Sequence, residues 1–181
     1  MLNENLIKDC LKQDRNAQSR LFNLLAPKLM GVCVRYMVNH QDAQDVLQDG
    51  FIKIFQNLHK FQFKGSFEGW ARKIIVNKAL ETLRKNHALK WSDDIDNHYD
   101  LKNYDEDAID YLNRKELLEI IHKIPLGYRT VFNMFAIEGY SHKEIADSLS
   151  ITEGTSKSQF ARAKKFIQQE IIKSEKIVYH E

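Results

Sequence analysis

Residues 139–165 read GYSHKEIADSLSITEGTSKSQFARAKK, and the second half of that run gathers side chains suited to recognising a polyanion. A helix advances about 100° per residue, which puts Thr155, Ser158, Arg162 and Lys165 on one side, with Lys157, Gln159 and Ala161 on its flanks. Small hydroxyls, an amide and long cations can bond phosphates and read base edges in a duplex. The chemistry is recognition, with no bond made or broken. A plain solvated cationic face is the alternative, and for a lone basic helix it would be the better one.

The elements around that face argue for recognition. Ser141 and Glu144 form a capping box, so a helix starts there, with Ile145, Ala146 and Leu149 on its buried side. Ser150 to Thr152 interrupts it, and Thr152 is suited to cap a second helix beginning at Glu153. Two helices joined by so short a turn place the second in a major groove. The core stripe of that second helix is predicted to be Phe160, Ala163, Ile167 and Ile171. Ser156 also falls on the core side, where its hydroxyl is expected to bond back to the Thr152 carbonyl.

A second set of such residues lies in FQFKGSFEGWARKIIVNKALETLRK. A short loop carries Phe61, Phe63, Lys64 and Gly65 and leads to Ser66, a candidate N-cap. In the helix that follows, Ala71, Ile75, Val76, Ala79 and Leu83 share one side. Trp70, Lys73, Asn77 and Arg84 share the other, with Glu81 and Lys85 nearby. An aromatic, an amide and two cations on one face suit stacking and phosphate contact with a single strand. Trp70 as a partly buried core residue fits the pattern equally well.

Two further helices must hold this surface. Leu21, Leu24, Leu25, Leu29 and Val32 predict one from about Ala17 to Val38, with Pro27 a point of kinking. The next runs from Asp42 to about His59, with a core stripe of Val46/Leu47, Gly50/Phe51, Ile54/Phe55 and Leu58. Its other side carries Asp42, Asp45, Gln48, Asp49 and Gln56, and on spacing alone ordinary solvation explains it.

The chain has 181 residues, few glycines, and only Pro27 and Pro125, which points to an all-α protein. Its net charge of +2 conceals a strong arrangement. Residues 1–91 carry +7, residues 92–110 carry −7, and residues 111–181 carry +2. That pattern implies two small helical domains joined by an acidic flexible linker, with the basic block as a footprint for a polyanion. Cys10 and Cys33 fit no ligand spacing and read as buried free thiols. The residues suggest no metal site, no cofactor and no nucleophile–base constellation, so no catalytic residues and no enzyme are expected. No apolar run approaches a membrane span of ~20 residues. No secretory leader opens the chain, and a cytoplasmic location with no membrane insertion is expected.

Taken together, these segments resemble the extracytoplasmic-function (ECF) sigma factors of bacterial RNA polymerase. QDAQDVLQDGFIKIF (residues 41–55) is similar to the family's polymerase-binding helix. FKGSFEGWARKIIVNKALETLRK (63–85) is similar to its segment for melting and reading the −10 element. IPLGYRTV (124–131), with the helix-turn-helix after it, is similar to its −35-binding domain. The resemblance implies region two over residues 1–90, an acidic linker over 91–110, and region four over 111–181.

It further implies partners and roles. Asp42, Asp45, Gln48, Asp49 and Phe55 would meet the β′ clamp helices of core polymerase, with charge reversal at Asp45 and Asp49 abolishing docking while sparing the fold. Phe63, Lys64, Gly65 and Ser66 would take a flipped −10 base, and Trp70, Lys73 and Asn77 would lie against the separated strands. Thr155, Lys157, Ser158, Gln159, Ala161, Arg162 and Lys165 would belong to the −35 surface. Promoter DNA, core polymerase (β′ clamp helices and β flap) and an anti-sigma factor are the implied partners of a chain that is monomeric when free. Ser156, Gln159 and Phe160 depart from the family's usual Val, Arg and Leu, so the −35 preference cannot be inferred from relatives. The linker would thread the RNA-exit path; a plain spacer explains it equally well. A helix-turn-helix regulator with a sensor domain is the chief rival, and it has no use for Trp70, Lys73 and Asn77.

Overall fold

The computed structural model describes residues 2–85 and 110–178, and helices are the only regular elements among them. Two compact units are present, Met1–Asn86 and His87–Glu181. The acidic stretch that the sequence assigns to a linker falls, apart from Asp110, outside the described residues.

The first unit contains α1 (Glu4–Leu11), α2 (Arg15–Tyr36), α3 (His40–Asn57), a 3-10 turn (Leu58–Lys60) and α4 (Phe67–Lys85). Helix α1 is not among the elements predicted from sequence. Asn3 caps it by accepting from the Leu6 amide at 2.9 Å, and Leu6, Ile7 and Cys10 are its buried side. Gln13 turns the chain at φ 63°, and Asp14 then caps α2 through the Asn16 and Ala17 amides. Leu21, Leu25, Leu29 and Val32 are buried as the spacing predicts. Leu24 is exposed, because it lies on the shoulder of that stripe. Pro27 sits inside the helix. Cys33 is fully buried, which pushes its thiol up to about 12, so it is an unreactive packing residue.

Helices α3 and α4 approach closely at Gly50. A Cβ added there would run into Cδ1 of Ile75, which is fully buried among α4's apolar residues Ala71, Val76 and Ala79. A second bond between the helices is ionic. The buried ammonium of Lys78 lies 2.8 Å from Asp49 and 3.7 Å from Glu81. Glu81 also pairs with Lys53 on α3 and with Lys85. Hydrogen bonds from Lys53 and Lys85 hold the Glu81 carboxyl down to about 2. The hydrogen bond to Asp49 raises Lys78. Asp49 is therefore an exposed acid that also pairs with Lys78, and reversing its charge would remove this bond between α3 and α4.

The second unit contains α5 (Asp110–Lys123), α6 (Leu126–Phe132), a π-helical turn (Asn133–Ile137), α7 (His142–Leu149) and α8 (Glu153–Val178). Arg129, only 1% exposed, donates through Nη1 to the carbonyl of His122 at 3.0 Å and so ties α6 to the end of α5. The capping box forms as predicted: the Glu144 amide donates to Ser141 Oγ at 3.2 Å, and the Ser141 amide to Glu144 Oε2 at 2.8 Å. Ser150 adopts φ 56° and stops α7. Thr152 Oγ1 accepts from the Thr155 amide at 3.0 Å and opens α8. Along α8, Ala163 is buried, Phe160 and Ile167 are half-buried, and Ile171 is 42% exposed. The predicted apolar stripe thus extends further than its cover.

Two tests follow from the α3–α4 contact. Gly50→Ala is expected to destabilise the wild type but not a chain carrying Ile75→Val, which lacks Cδ1. In that background Ala should stabilise by up to ~1 kcal/mol through helix propensity. Denaturant unfolding of the four proteins measures this coupling, and additive effects would contradict the packing account. The second test concerns pH. A carboxyl with a depressed folded pKa stabilises above its ordinary 4.5 and loses that contribution as pH falls toward about 2. Glu81→Gln should therefore lower the urea midpoint at pH 7 and flatten its decline between those two values, so that the curves converge in acid. Parallel curves would contradict the network.

Candidate nucleic-acid and polymerase interfaces

In the first unit, the loop between the 3-10 turn and α4 is shaped by an aromatic cluster. Phe61 is buried with its ring centroid 5.1 Å from Phe63, 5.0 Å from Phe67 and 5.5 Å from Trp70. Phe67 and Trp70 are 5.4 Å apart. These tilted and edge-on pairs hold a loop with little regular backbone bonding. Phe63 adopts φ 56°, a strained value for a bulky side chain. Gly65 follows at φ 84° with open space around it, a conformation that glycine alone adopts without cost. Ser66 caps α4, accepting from the Gly69 amide at 3.3 Å.

Lys64, Gly65 and Ser66 are exposed, and so are Lys73 and Asn77 on the outward side of α4. Trp70 is half-buried: one part of its ring belongs to the cluster and the rest is open to a partner. The reading of Trp70 as a partly buried core residue therefore holds. Helix α1 adds a residue that sequence reasoning missed. Lys8 Nζ stands 5.7 Å from the Phe63 ring centroid, a cation beside the loop. Its only sequence signal was Asn3 followed by an apolar pair.

The acidic side of α3 is less uniform than the helical spacing suggests. Asp45 and Gln48 are exposed, with Asp45 accepting from Gln41 Nε2 at 3.3 Å. Asp42 is half-buried in the helix cap, where its amide donates to Asn39 Oδ1 at 2.7 Å and its carboxylate accepts from Asn39 Nδ2 at 2.8 Å. Asp49 is held by Lys78, as described above. Phe55 is half-buried, its ring 6.1 Å from Phe51, which in turn lies 4.5 Å from Phe22. The five residues read as one docking set divide by geometry. Asp45, Gln48 and Asp49 are exposed, Asp49 also pairing with α4, while Asp42 is half-buried in the cap.

In the second unit, α8 presents Lys157, Ser158, Ala161, Arg162 and Lys165 outward, with Thr155 half-buried at its start. Thr155 Oγ1 lies 2.9 Å from Thr152 Oγ1, and Ser158 Oγ donates to the Thr155 carbonyl at 3.0 Å. Lys157 pairs loosely with Glu153 at 3.7 Å. Arg162 Nη1 donates to the Tyr128 hydroxyl of α6 at 3.0 Å.

Gln159 corrects the sequence reading. It is only 2% exposed and belongs to the core side of α8, not to the groove-facing side. Its position between Ser156 and Ala163, both fully buried, carried that information, but its amide suggested a surface role. Ser156 is corrected too. Its hydroxyl meets His142 Nδ1 at 2.9 Å instead of bonding back to Thr152. The His142 ring stacks on Phe135 with centroids 4.2 Å apart at 13°. A hydroxyl where an aliphatic residue was expected is thus satisfied by a partner on α7.

No group of His, Cys, Asp or Glu among the described residues is placed to hold a metal ion. No helix among them is long and apolar enough to cross a membrane. What the two units offer is a pair of cation-bearing surfaces, one beside an aromatic loop and one on a helix of a helix-turn-helix.

Comparison with known proteins gives this arrangement a family. The Sigma-70 region 2 family model matches residues 21–88, and the Sigma-70 region 4 model matches residues 114–167, together more than half of the chain. The ECF RNA polymerase sigma-E factor of Haemophilus influenzae is 27% identical, over 92% of this chain and 93% of that protein. The ECF sigma factor SigW of Bacillus subtilis is 26% identical, over 94% of this chain and 97% of that one. Among solved structures, the sigma factor RpoE of Bartonella quintana, in complex with the anti-sigma factor NepR, is similar in fold. It has a TM-score of 0.54 at 18% identity, covering 83% of this chain and 94% of that one. CnrH in complex with the cytosolic domain of CnrY gives 0.52 at 19% identity, covering 92% and 94%. The chain belongs to the ECF group of the sigma-70 family: it is a non-enzymatic initiation factor that recognises promoters for core RNA polymerase.

Proposed function

We propose that the exposed residues of the two units divide the work of initiation between polymerase docking, strand capture and duplex anchoring. The observation that carries this reading is the layout of the first unit. There α3 exposes Asp45 and Gln48, while the adjoining α4 exposes Lys73 and Asn77 next to the Phe63–Ser66 loop and the open part of Trp70. Asp45 and Gln48, with Phe55 at their margin, meet the β′ clamp helices. The exposed loop takes an unpaired −10 base, Trp70 offers a stacking surface, and Lys73 and Asn77 contact the strand backbone. Stacking returns ~1–3 kcal/mol per base, which offsets the few kcal/mol lost at each unstacked step.

The second unit anchors the −35 duplex. Lys157 and Lys165 neutralise phosphates, Ser158 and Ala161 approach the major groove, and Arg162 reads a base pair. Thr155 belongs to the rim of this surface, and Gln159 supports it from within. The domain division follows the family's order, with residues 1–90 as region two, 91–110 as a linker and 111–181 as region four. The chain works in the cytoplasm beside polymerase and nucleoid, and region four also meets the β flap. An anti-sigma factor is a further partner, as RpoE, similar in fold, is in complex with the anti-sigma factor NepR.

Transcription with core polymerase and this chain, followed by sequencing of the transcript ends, identifies the promoters it selects and supplies the template for two tests. Asp45→Lys is expected to weaken association with core polymerase at least tenfold while leaving the melting temperature unchanged, because Asp45 is exposed and, among the described residues, bonds only within its own helix, to Gln41. Unchanged association would remove Asp45 from the docking surface. Arg162→Ala is expected to cost ~1–3 kcal/mol at one −35 base pair. An equal loss on every −35 sequence would instead make Arg162 a phosphate contact.

A further inference from the structure

Among the described residues, Arg162 on the outward side of α8 makes a tertiary hydrogen bond to α6. Its Nη1 donates to Tyr128 Oη at 3.0 Å, and its Cζ lies 5.6 Å from the Tyr128 ring centroid. Lys157 pairs only within its own helix, with Glu153. Tyr128 is half-buried on α6, a helix fixed on either side of it. Arg129, the next residue, is buried and bonded to the His122 carbonyl, and Thr130 Oγ1 donates to the Leu126 carbonyl at 2.8 Å. The tyrosine is therefore a rigid post standing beside a long cation.

We propose that Tyr128 is a positioning residue that presents the Arg162 guanidinium to a base pair of the −35 element. The proposal rests on the reading of α8 as the −35 helix. A free arginine must lose most of its rotamer freedom when it meets a base, and a side chain already held loses less. Guanidinium offers five N–H donors in a planar fork. A guanine edge offers two acceptors to such a fork. The ring also lies against the guanidinium, where a cation is favoured. Tyr128 itself touches no base in this arrangement. It sets the direction of the residue that does.

The test uses holoenzyme reconstituted from core polymerase and the full chain, transcribing a library of promoters randomised across the −35 element. Tyr128→Phe deletes one oxygen and retains the ring. It should lower base preference about three- to tenfold at the same position that Arg162→Ala affects, with other positions and the melting temperature unchanged. In an Arg162→Ala background it should have no further effect. Wild-type preference in Tyr128→Phe would overturn the proposal. So would a uniform loss across the element, or effects that add in the double variant, since each marks a role independent of Arg162. If Arg162→Ala alone leaves the −35 preference intact, the assignment of Arg162 fails and the role of Tyr128 falls with it. That result is distinct from a normal Arg162→Ala effect beside a silent Tyr128→Phe.

Discussion

Everything in the first unit depends on how closely α4 can lie against α3. Gly50 removes the side chain that would otherwise meet Ile75, and the resulting contact brings Lys78 within reach of Asp49 and Glu81 within reach of Lys53. Apolar packing sets the distance and the ion pairs set the register. The ionic part alone would be a weak source of stability, since a buried charge loses hydration that its partners only partly replace. Its stronger effect is directional. Rotation of α4 would break the two pairs that cross the interface, Lys78–Asp49 and Lys53–Glu81. Rotation would carry Lys73 and Asn77 away from the aromatic loop.

This has a functional corollary. The surface assigned to polymerase lies on α3, and the surface assigned to the −10 strand lies on α4 and the loop before it. Because the two helices form one packed body, docking on one face places the other without any hinge between them. The second unit follows a similar rule. Caps at Ser141 and Thr152 fix where α7 and α8 begin, and the His142–Ser156 bond joins the two helices behind the groove-facing side.

Much of this was legible in the chain because it is local. The capping box, the Thr152 cap, the Ser66 cap and the apolar stripes of α2, α3 and α4 each depend on residues within a turn or two of one another. What was not legible required knowledge of another element. Asp49 looked like any acid on a solvated helix face until Lys78 arrived from α4. Gln159 occupied a core angle on α8, but an amide among cations reads as surface. Helix α1 was missed because its eight residues hold only two apolar pairs, Leu6/Ile7 and Cys10/Leu11, too short a run for periodicity to register. Ile171 erred in the opposite direction, since periodicity reports a stripe and cannot tell where the packing partner ends.

The central claim is that capture of a single strand by the first unit opens promoter DNA only when core polymerase holds the chain. A promoter fragment with 2-aminopurine in its −10 element gives a fluorescence rise when that base unstacks. The rise should appear when the chain and core polymerase are present together and be absent with either one alone. A full rise with the chain by itself, or none with both on a promoter from which they transcribe, would contradict the account.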